Sequence, residues 1–444
     1  MRLRRRVGHL LVIALLIGLL AAVPQPASAS TAAAPVRIPV RLTDSVTESL
    51  PVDADGVLTA LILGGTFMPR PSARWLDAVI ADYINPATGD SYSPVTVEYP
   101  ATLASYSFPD GFANLSNAMA QQLANHPDDP FLIAGYSQGS AIVTLMKLQL
   151  MEMEAAERPD VTFLLLGSGD RPNGGIFSRF SDEVPTFNPD SIGYFLGTQP
   201  TDGGIRTIDI AHQYELTSDL PRYPLNLVAT LNAFLGLIYS HAAYANGPLP
   251  FEFPAVWPES MPLAGPFADE YVLGSMDIVK QTTGDTDFYF IPVDMLPLLG
   301  PLRTLGVPDS LLNIVQPALQ VIVEAGYDRS VDFGEPALAG LIPVLDPVTF
   351  SLQFARAVAQ GADNAAGLLG INLPFSAEVQ DLLTLWTARS AELIGEPYYV
   401  LANTVNELFP LALGGGAIDL SGNGLLDPLM EVLGALIGPF TSGE

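Results

Sequence analysis

The 444-residue sequence predicts an α/β sandwich: a mostly parallel sheet flanked by helices, with an α-helical C-terminal region after it. Three features predict it: strand-length apolar runs, amphipathic stretches between those runs, and a late change to helical periodicity alone. The strands are read at "VLTALILGG" (57–65), "VTVEY" (95–99), "PFLIAGY" (130–136), "VTFLLLG" (161–167) and "IRTIDIAHQY" (205–214). Helices are read between them at 71–84, 111–125 and 139–155. Most of these strands are apolar on both faces, which suits a sheet covered on both sides, and helical crossovers make neighbouring strands parallel. From Asp294 onward the pattern is helical, at 311–326, 351–369 and 377–395, and Pro317 is expected to kink the first of these. The stretch 398–444 is apolar and rich in Gly and Leu. The division this suggests is a leader over 1–29, a linker over 30–56, a core over 57–293 and a helical apolar region over 294–444.

The leader reading rests on order. Arg2, Arg4, Arg5 and Arg6 precede an apolar stretch from Leu10 to Val23, which is followed by the small-residue site Ala27-Ser28-Ala29. That order is the signature of a cleaved secretory signal peptide, and the shortness of the apolar stretch argues against an uncleaved anchor. No run after residue 30 is read as long enough to span a membrane. The expected location is therefore secreted or associated with the cell envelope.

Composition narrows the function classes. With 49% hydrophobic and 15% charged residues the chain can bury a large core. The formal charge is −28, and −32 once the four arginines of the leader are removed, which disfavours nucleic acid and anionic membrane surfaces as partners. There is no cysteine, so disulfides, thiol nucleophiles and thiolate metal sites are all excluded.

The stretch that carries chemistry is "FLIAGYSQGSAIV" (131–143), in which one serine stands between two glycines where a strand ends and a helix begins. Gly135-Tyr136-Ser137-Gln138-Gly139 fits a nucleophile elbow: Ser137 leaves the sheet by a sharp turn, and the elbow glycines Gly135 and Gly139 let strand and helix approach closely. A serine hydroxyl needs a base to take its proton, and the base needs an acid to hold its tautomer. Of the four histidines, His9 lies in the leader, His126 reads as a helix-end residue and His212 as a strand residue. His241, after the helix "YPLNLVATLNAFLGLIYS", suits the Ser, Asp, His chain order and is preferred as base. For the acid, Asp219 in "YELTSDLP" is preferred over Asp170 in "GSGDRPNGG", because it follows the strand immediately before the His241 helix. Oxyanion donors are expected from the backbone of Gln138 and from the loop "LGGTFMP", where Thr66 adds a hydroxyl. No dinucleotide loop, Walker sequence or metal-spaced histidine pair is present, so neither a cofactor nor a metal is expected.

With these residues in view, the chain resembles the PE-PPE domain family, a cutinase-like branch of the α/β hydrolases found in actinobacterial envelopes. The matching stretches are "LILGGTFMP", "VEYPA", "AGYSQGS", "RPNGGIFSRF", "SDLPRYPLNLVATLNAFLG" with "YSHAAY", and "FYFIPVDMLPLLGPLRTLGVPDSLL" with "VEAGYDR", together spanning about residues 57 to 330. The resemblance implies an α/β-hydrolase fold, with Ser137 as nucleophile, His241 as base and Asp219 as acid. It also implies an esterase or lipase acting on acyl esters, while some relatives transfer acyl chains between trehalose glycolipids. Cutinases brace their acid loop with disulfides, which this chain cannot form.

The sequence thus supports an exported serine hydrolase whose substrate is an acyl ester or a glycolipid, with peripheral lipid or envelope contact. An acyltransferase would use the same residues, and a retained fold that only binds lipid is the reading from another class. Leu382, Leu385 and Trp386 in the C-terminal region are expected to line an acyl groove. The leader predicts a mature chain beginning near Ser30. Mass spectrometry of exported protein checks this, and an intact Met1 would rule cleavage out.

Overall fold

The strands and helices lie along a computed structural model that describes residues 57–102, 106–181, 197–246, 278–373 and 376–412. The expected signal peptide, the linker and the apolar tail beyond 412 lie outside the described residues. In chain order the main elements are β1 (Leu58–Leu63), α1 (Ala73–Val79), β2 (Tyr92–Thr96), α2 (Ser107–Asn125), β3 (Phe131–Tyr136) and α3 (Gln138–Met151). They continue with β4 (Val161–Leu166), β5 (Thr207–His212), α4 (Leu227–Tyr239), β6 (Val279–Thr283) and β7 (Thr286–Ile291). The helices α5 (Asp309–Glu324), α6 (Pro347–Leu368), α7 (Ser376–Ser390) and α8 (Glu396–Ala412) follow.

One seven-stranded sheet runs in the order β2-β1-β3-β4-β5-β7-β6. Every neighbouring pair is parallel except β6 and β7. The apolar runs explain this arrangement. Ala60, Ile62, Leu132, Ala134, Leu164, Leu166, Ile208 and Ile210 face the α1 side with Trp75, Val79 and Tyr83. The alternate residues Leu61, Leu63, Phe131, Ile133, Phe163 and Leu165 face α2 and α3 with Phe112, Leu115, Ile142 and Met146. Both faces are buried, so each of these large aliphatic side chains contributes about 1.5–3 kcal/mol. In the register Tyr136 pairs with Leu166 and Leu166 with Ile210, which sets the carboxyl ends of β3, β4 and β5 side by side. Ligands of open parallel sheets gather at that edge.

The structure departs from the sequence reading in three places. Strand β2 begins at Tyr92 rather than Val95 and includes Pro94, which an edge strand tolerates because one side of its backbone has no ladder to donate to. The β6–β7 hairpin was not read at all, although its turn signal, Gly284-Asp285 between β-branched residues, stands in the sequence. Gly284 has φ 56°, and a Cβ there would lie 1.7 Å from the Thr201 carbonyl oxygen, so the turn needs glycine. The third concerns the stretch Leu227–Tyr244, which by length and composition could span a membrane. It is 61% buried within the protein, and its helical part, α4, packs on the core.

The C-terminal helices stack in sequence. Leu312 and Val323 of α5 join Ala229 of α4, Tyr214 and Tyr327 in one apolar cluster, and α5 runs through Pro317 without a break. Helix α6 packs on α5, and α7 on α6. Leu382, Leu385 and Trp386 of α7 are each more than half exposed (53%, 58% and 58%), so they do not line a closed groove in this structure.

A buried ion pair ties α3 to the hairpin. Lys147 Nζ donates to Asp285 Oδ1 at 2.8 Å and to the Pro200 carbonyl at 2.8 Å. Burial pushes the ammonium below its usual range, against the pull of Asp285. Removing one partner of such a pair leaves the other charge desolvated and uncompensated. Lys147→Ala is expected to destabilise the fold by about 3–5 kcal/mol in urea denaturation, and Lys147→Met with Asp285→Asn by clearly less. Equal losses would show that the ion pair is not what holds the hairpin.

Candidate active site

Ser137 stands at the junction of β3 and α3 with φ 53° and ψ −118°, a backbone conformation that L-residues seldom adopt. The surroundings over-determine it. Its N–H donates to the Leu166 carbonyl of β4 at 2.9 Å, and its own carbonyl accepts from Ser140 N at 2.9 Å and Ser140 Oγ at 2.5 Å. The elbow glycines are sterically required: a Cβ on Gly135 would lie 2.3 Å from the Gly139 carbonyl oxygen, and one on Gly139 would lie 2.5 Å from that of Gly64. The side chain of Ser137 is left half-buried at the carboxyl edge of the sheet.

His241 follows α4 directly and is brought to the same edge by its contacts with the residues around the elbow. Tyr136, immediately before Ser137, stacks its ring on the imidazole at 4.9 Å between centroids and donates its hydroxyl to the His241 carbonyl at 2.8 Å. Gly167, next to the Leu166 carbonyl that receives Ser137 N–H, lies under the ring. A Cβ there would approach His241 Cε1 to 2.7 Å.

The carboxylate on His241 is Glu215. Its Oε2 lies 2.9 Å from His241 Nδ1, the Thr217 hydroxyl lies 2.8 Å from the same nitrogen, and Tyr244 donates its hydroxyl to Glu215 Oε1 at 2.8 Å. Glu215 has no solvent exposure, and burial pushes its carboxyl above the usual range although the hydrogen bonds from His241 and Tyr244 draw it back. A carboxylate on Nδ1 favours the tautomer that carries a proton there and leaves Nε2 as an acceptor.

Asp219, the expected acid, is engaged elsewhere. Its Oδ1 accepts from Arg329 Nη1 at 2.6 Å, and its Oδ2 accepts from Arg329 Nη2 at 3.0 Å and from the backbone N–H of Tyr214 at 2.7 Å. Of the two carboxylates in this turn, the structure sets Glu215, four residues before Asp219, against His241 Nδ1. Sequence reasoning missed Glu215 because both carboxylates follow β5 and nothing local separates them. It also missed Tyr136 and Tyr244, whose aromatic character reads as core. His212, the alternative base, is buried against Tyr244 with ring centroids 4.0 Å apart. Its Nδ1 lies 3.0 Å from the Ser240 carbonyl, and burial lowers its pKa to about 3, so the ring is neutral and structural.

The loop 63–69, expected to supply an oxyanion donor beside that of Gln138, lies against Ser137. A Cβ on Gly65 would lie 3.0 Å from Ser137 Cβ, so the chain entering Thr66 passes directly over the serine. Phe67, the next residue after Thr66, has φ 64°, and its N–H is held by the Ala101 carbonyl at 2.5 Å. Thr66 itself is half-buried. The Gln138 side chain braces the opposite side, donating to the Thr102 carbonyl at 2.9 Å and accepting from Ser107 Oγ at 3.1 Å.

A serine elbow at the carboxyl edge of a mostly parallel sheet, beside a buried imidazole–carboxylate pair, defines an α/β-hydrolase-type fold. More particularly, the chain belongs to the PE-PPE domain family, whose model matches residues 83–328. It is 33% identical over 327 residues to Esterase PE16 of Mycobacterium tuberculosis, covering 71% of this chain and 57% of that protein. It is 28% identical over 350 residues to Diacyltrehalose acyltransferase Chp2 of the same organism, covering 72% of this chain and 86% of that one. The chain spans 57% and 53% of the length of two of the curated relatives it matches, PE16 and a PPE family protein. Among solved structures, a cutinase-like protein from Cryptococcus sp. aligns with a TM-score of 0.27 and 19% identity, over 37% of this chain and 79% of that one.

Asp170, the competing acid, is fully buried after β4, where Ser168 donates to its Oδ1 and its Oδ2 meets no partner. Burial pushes its carboxyl from the ordinary 3.8 up to about 6, with the Ser168 hydroxyl pulling the other way. An acid whose folded value is raised stabilises the fold at low pH, and that contribution is lost as pH rises through about 6. Asp170→Asn is therefore expected to raise the unfolding temperature relative to the parent more at pH 7 than at pH 4. The difference should reach at most about 3 kcal/mol, and equal effects at both pH values would refute the reading.

Proposed function

We propose that the protein is a serine esterase or lipase that hydrolyses acyl esters of lipids through an acyl-enzyme. The observation that carries this is the buried Glu215–His241 pair stacked on Tyr136 beside the strained Ser137 elbow. A binding module has no need of a carboxylate aimed at Nδ1 beside a serine elbow. In the proposed reaction Ser137 Oγ attacks the ester carbonyl carbon and His241 Nε2 takes its proton. Glu215 stabilises the imidazolium, while the N–H of Gln138 and the Gly65–Thr66 segment receive the oxyanion. Collapse returns the proton to the leaving alkoxide and leaves an acyl-Ser137 ester. Water, activated by the same imidazole, then releases the acid.

A second reading is favoured by the family itself. A relative named as a diacyltrehalose acyltransferase aligns over 86% of its length, and a sugar hydroxyl in place of water would resolve the same acyl-enzyme. Export by the leader and a location at the cell envelope complete the proposal.

The test is a fluorophosphonate probe together with a panel of chromogenic acyl esters, with and without a trehalose acceptor. Ser137→Ala is expected to abolish both labelling and turnover while the fold survives, since one small half-buried side chain changes little packing. Glu215→Gln is expected to lower kcat by roughly 10³- to 10⁴-fold. Free acid as the product supports hydrolysis, and an acylated sugar supports transfer. Undiminished labelling of Ser137→Ala would show that another residue is the nucleophile, and a parent protein that neither labels nor turns over any ester would leave only the lipid-binding reading.

A further inference from the structure

Arg329 lies 110 residues beyond Asp219, in a segment that follows α5, yet it reaches the turn that carries Glu215. Its guanidinium bridges both oxygens of Asp219, at 2.6 and 3.0 Å, and its Nε donates to Glu324 Oε2 at 3.1 Å. It also lies over the Tyr327 ring at 4.1 Å and the Phe290 ring at 5.0 Å. Both of its carboxylate partners act on Tyr214. Asp219 Oδ2 accepts the Tyr214 backbone N–H at 2.7 Å, and Glu324 Oε1 accepts the Tyr214 hydroxyl at 2.6 Å. Tyr214 has φ 63°, an unfavourable conformation for a bulky residue. The next residue is Glu215.

The turn is also packed, with Tyr214 in the apolar cluster of α5 and Leu216 buried beside Leu220 and Ala233, and it carries backbone bonds of its own. Asp219 N–H closes it on the Glu215 carbonyl at 3.0 Å, and the Thr217 carbonyl accepts from Ile176 N–H at 2.8 Å. Against the upward push of burial, Arg329 and the hydrogen bonds from Tyr214 and Gln213 hold the Glu324 carboxyl below its usual range, so it stays an anion within the cluster. A lysine would keep the charge but could not hold both oxygens of Asp219 in one plane.

We propose that Arg329, through its two-pronged ion pair with Asp219, is a positioning residue that locks the strained turn 214–219 so that Glu215 and Thr217 meet His241 Nδ1. The inference rests on the ester-hydrolase reading of the same site. Arg329 does not touch the reacting atoms. Its side chain is about a third exposed (32%) while that of Asp219 is almost fully buried (4%), so loss of Arg329 leaves a desolvated carboxylate unpaired and lowers stability as well, a cost separate from what it does for the site. Its effect there is on geometry, where a displacement of about 1 Å can slow turnover about a hundredfold.

The experiment compares Arg329→Gln, Arg329→Lys and Asp219→Asn in the full chain, with Ser137→Ala and Glu215→Gln as references. The readouts are kcat and KM on a chromogenic ester, the unfolding temperature, and the low-field proton resonance of His241 Nδ1–H. Arg329→Gln and Asp219→Asn should lower kcat roughly 10- to 100-fold with KM within about twofold, and should shift or broaden the low-field proton. Arg329→Lys should fall between them and the parent. Asp219→Asn is nearly isosteric and keeps an acceptor for Tyr214 N–H, so it tests the clamp even where an Arg329 variant folds poorly. Parental kcat and an unchanged low-field proton in the folded variants would overturn the clamp, whatever the unfolding temperature does. That result, with Ser137→Ala and Glu215→Gln inactive, leaves the ester-hydrolase reading standing. Turnover by Ser137→Ala would remove both.

Discussion

The hydrogen bond from His241 Nδ1 to the Glu215 carboxylate, made where no solvent reaches the acid, is the contact on which the rest of the site depends. A carboxylate in that position is costly unless every oxygen is answered, and Tyr244 and His241 answer both. The same bond favours a proton on Nδ1 and so leaves Nε2 as the acceptor. Everything around it holds the imidazole in plane: the Tyr136 ring on one face, Gly167 close beneath, and the Tyr136 hydroxyl on the His241 carbonyl. The residue that precedes the serine is thus also the residue that seats the histidine, which couples the elbow to the imidazole within one side chain.

The backbone around the site is strained in a consistent way. Among the described residues, the non-glycine positions with φ in the left-handed region are Phe67, Ala101, Ser137 and Tyr214. Phe67 and Ala101 bond to each other beside the chain that passes over Ser137, and Tyr214 precedes Glu215. Each such conformation costs about 1–3 kcal/mol and persists only where neighbours over-determine it. For Ser137 and the adjoining Gly167 the buried strands are those neighbours, while Asp219 and Glu324 play that part for Tyr214. Leu166 of β4 holds Ser137, Ile210 of β5 holds Gly167, and both strands are packed on either face. The stability of the sheet is what allows these turns to keep their shapes.

The helices after the sheet are not independent of it. Tyr214 lies in one cluster with Leu312, Val323 and Tyr327, so α5 and the segment after it brace the acid turn from outside. This agrees with a family match that runs to residue 328, past the point where the sequence turns helical. The hairpin β6–β7 likewise extends the sheet beside β5, with Gln213 N–H bonded to Ile291.

By itself the sequence determined what depends on short-range pattern: the apolar strands, the intervening helices, and the glycine-flanked elbow at Ser137, whose steric needs are met within five residues. It also brought His241 into consideration by chain order. It favoured Asp219 over Asp170 and gave no sign of Glu215, because two carboxylates four residues apart in one turn look alike locally. The choice is made by partners distant in the chain, with Arg329 taking Asp219 from 110 residues away and Tyr244 and His241 taking Glu215 from 29 and 26. Only tertiary structure decides such pairings, because burial and hydrogen-bond geometry are set by which elements pack together, and periodicity carries no record of that.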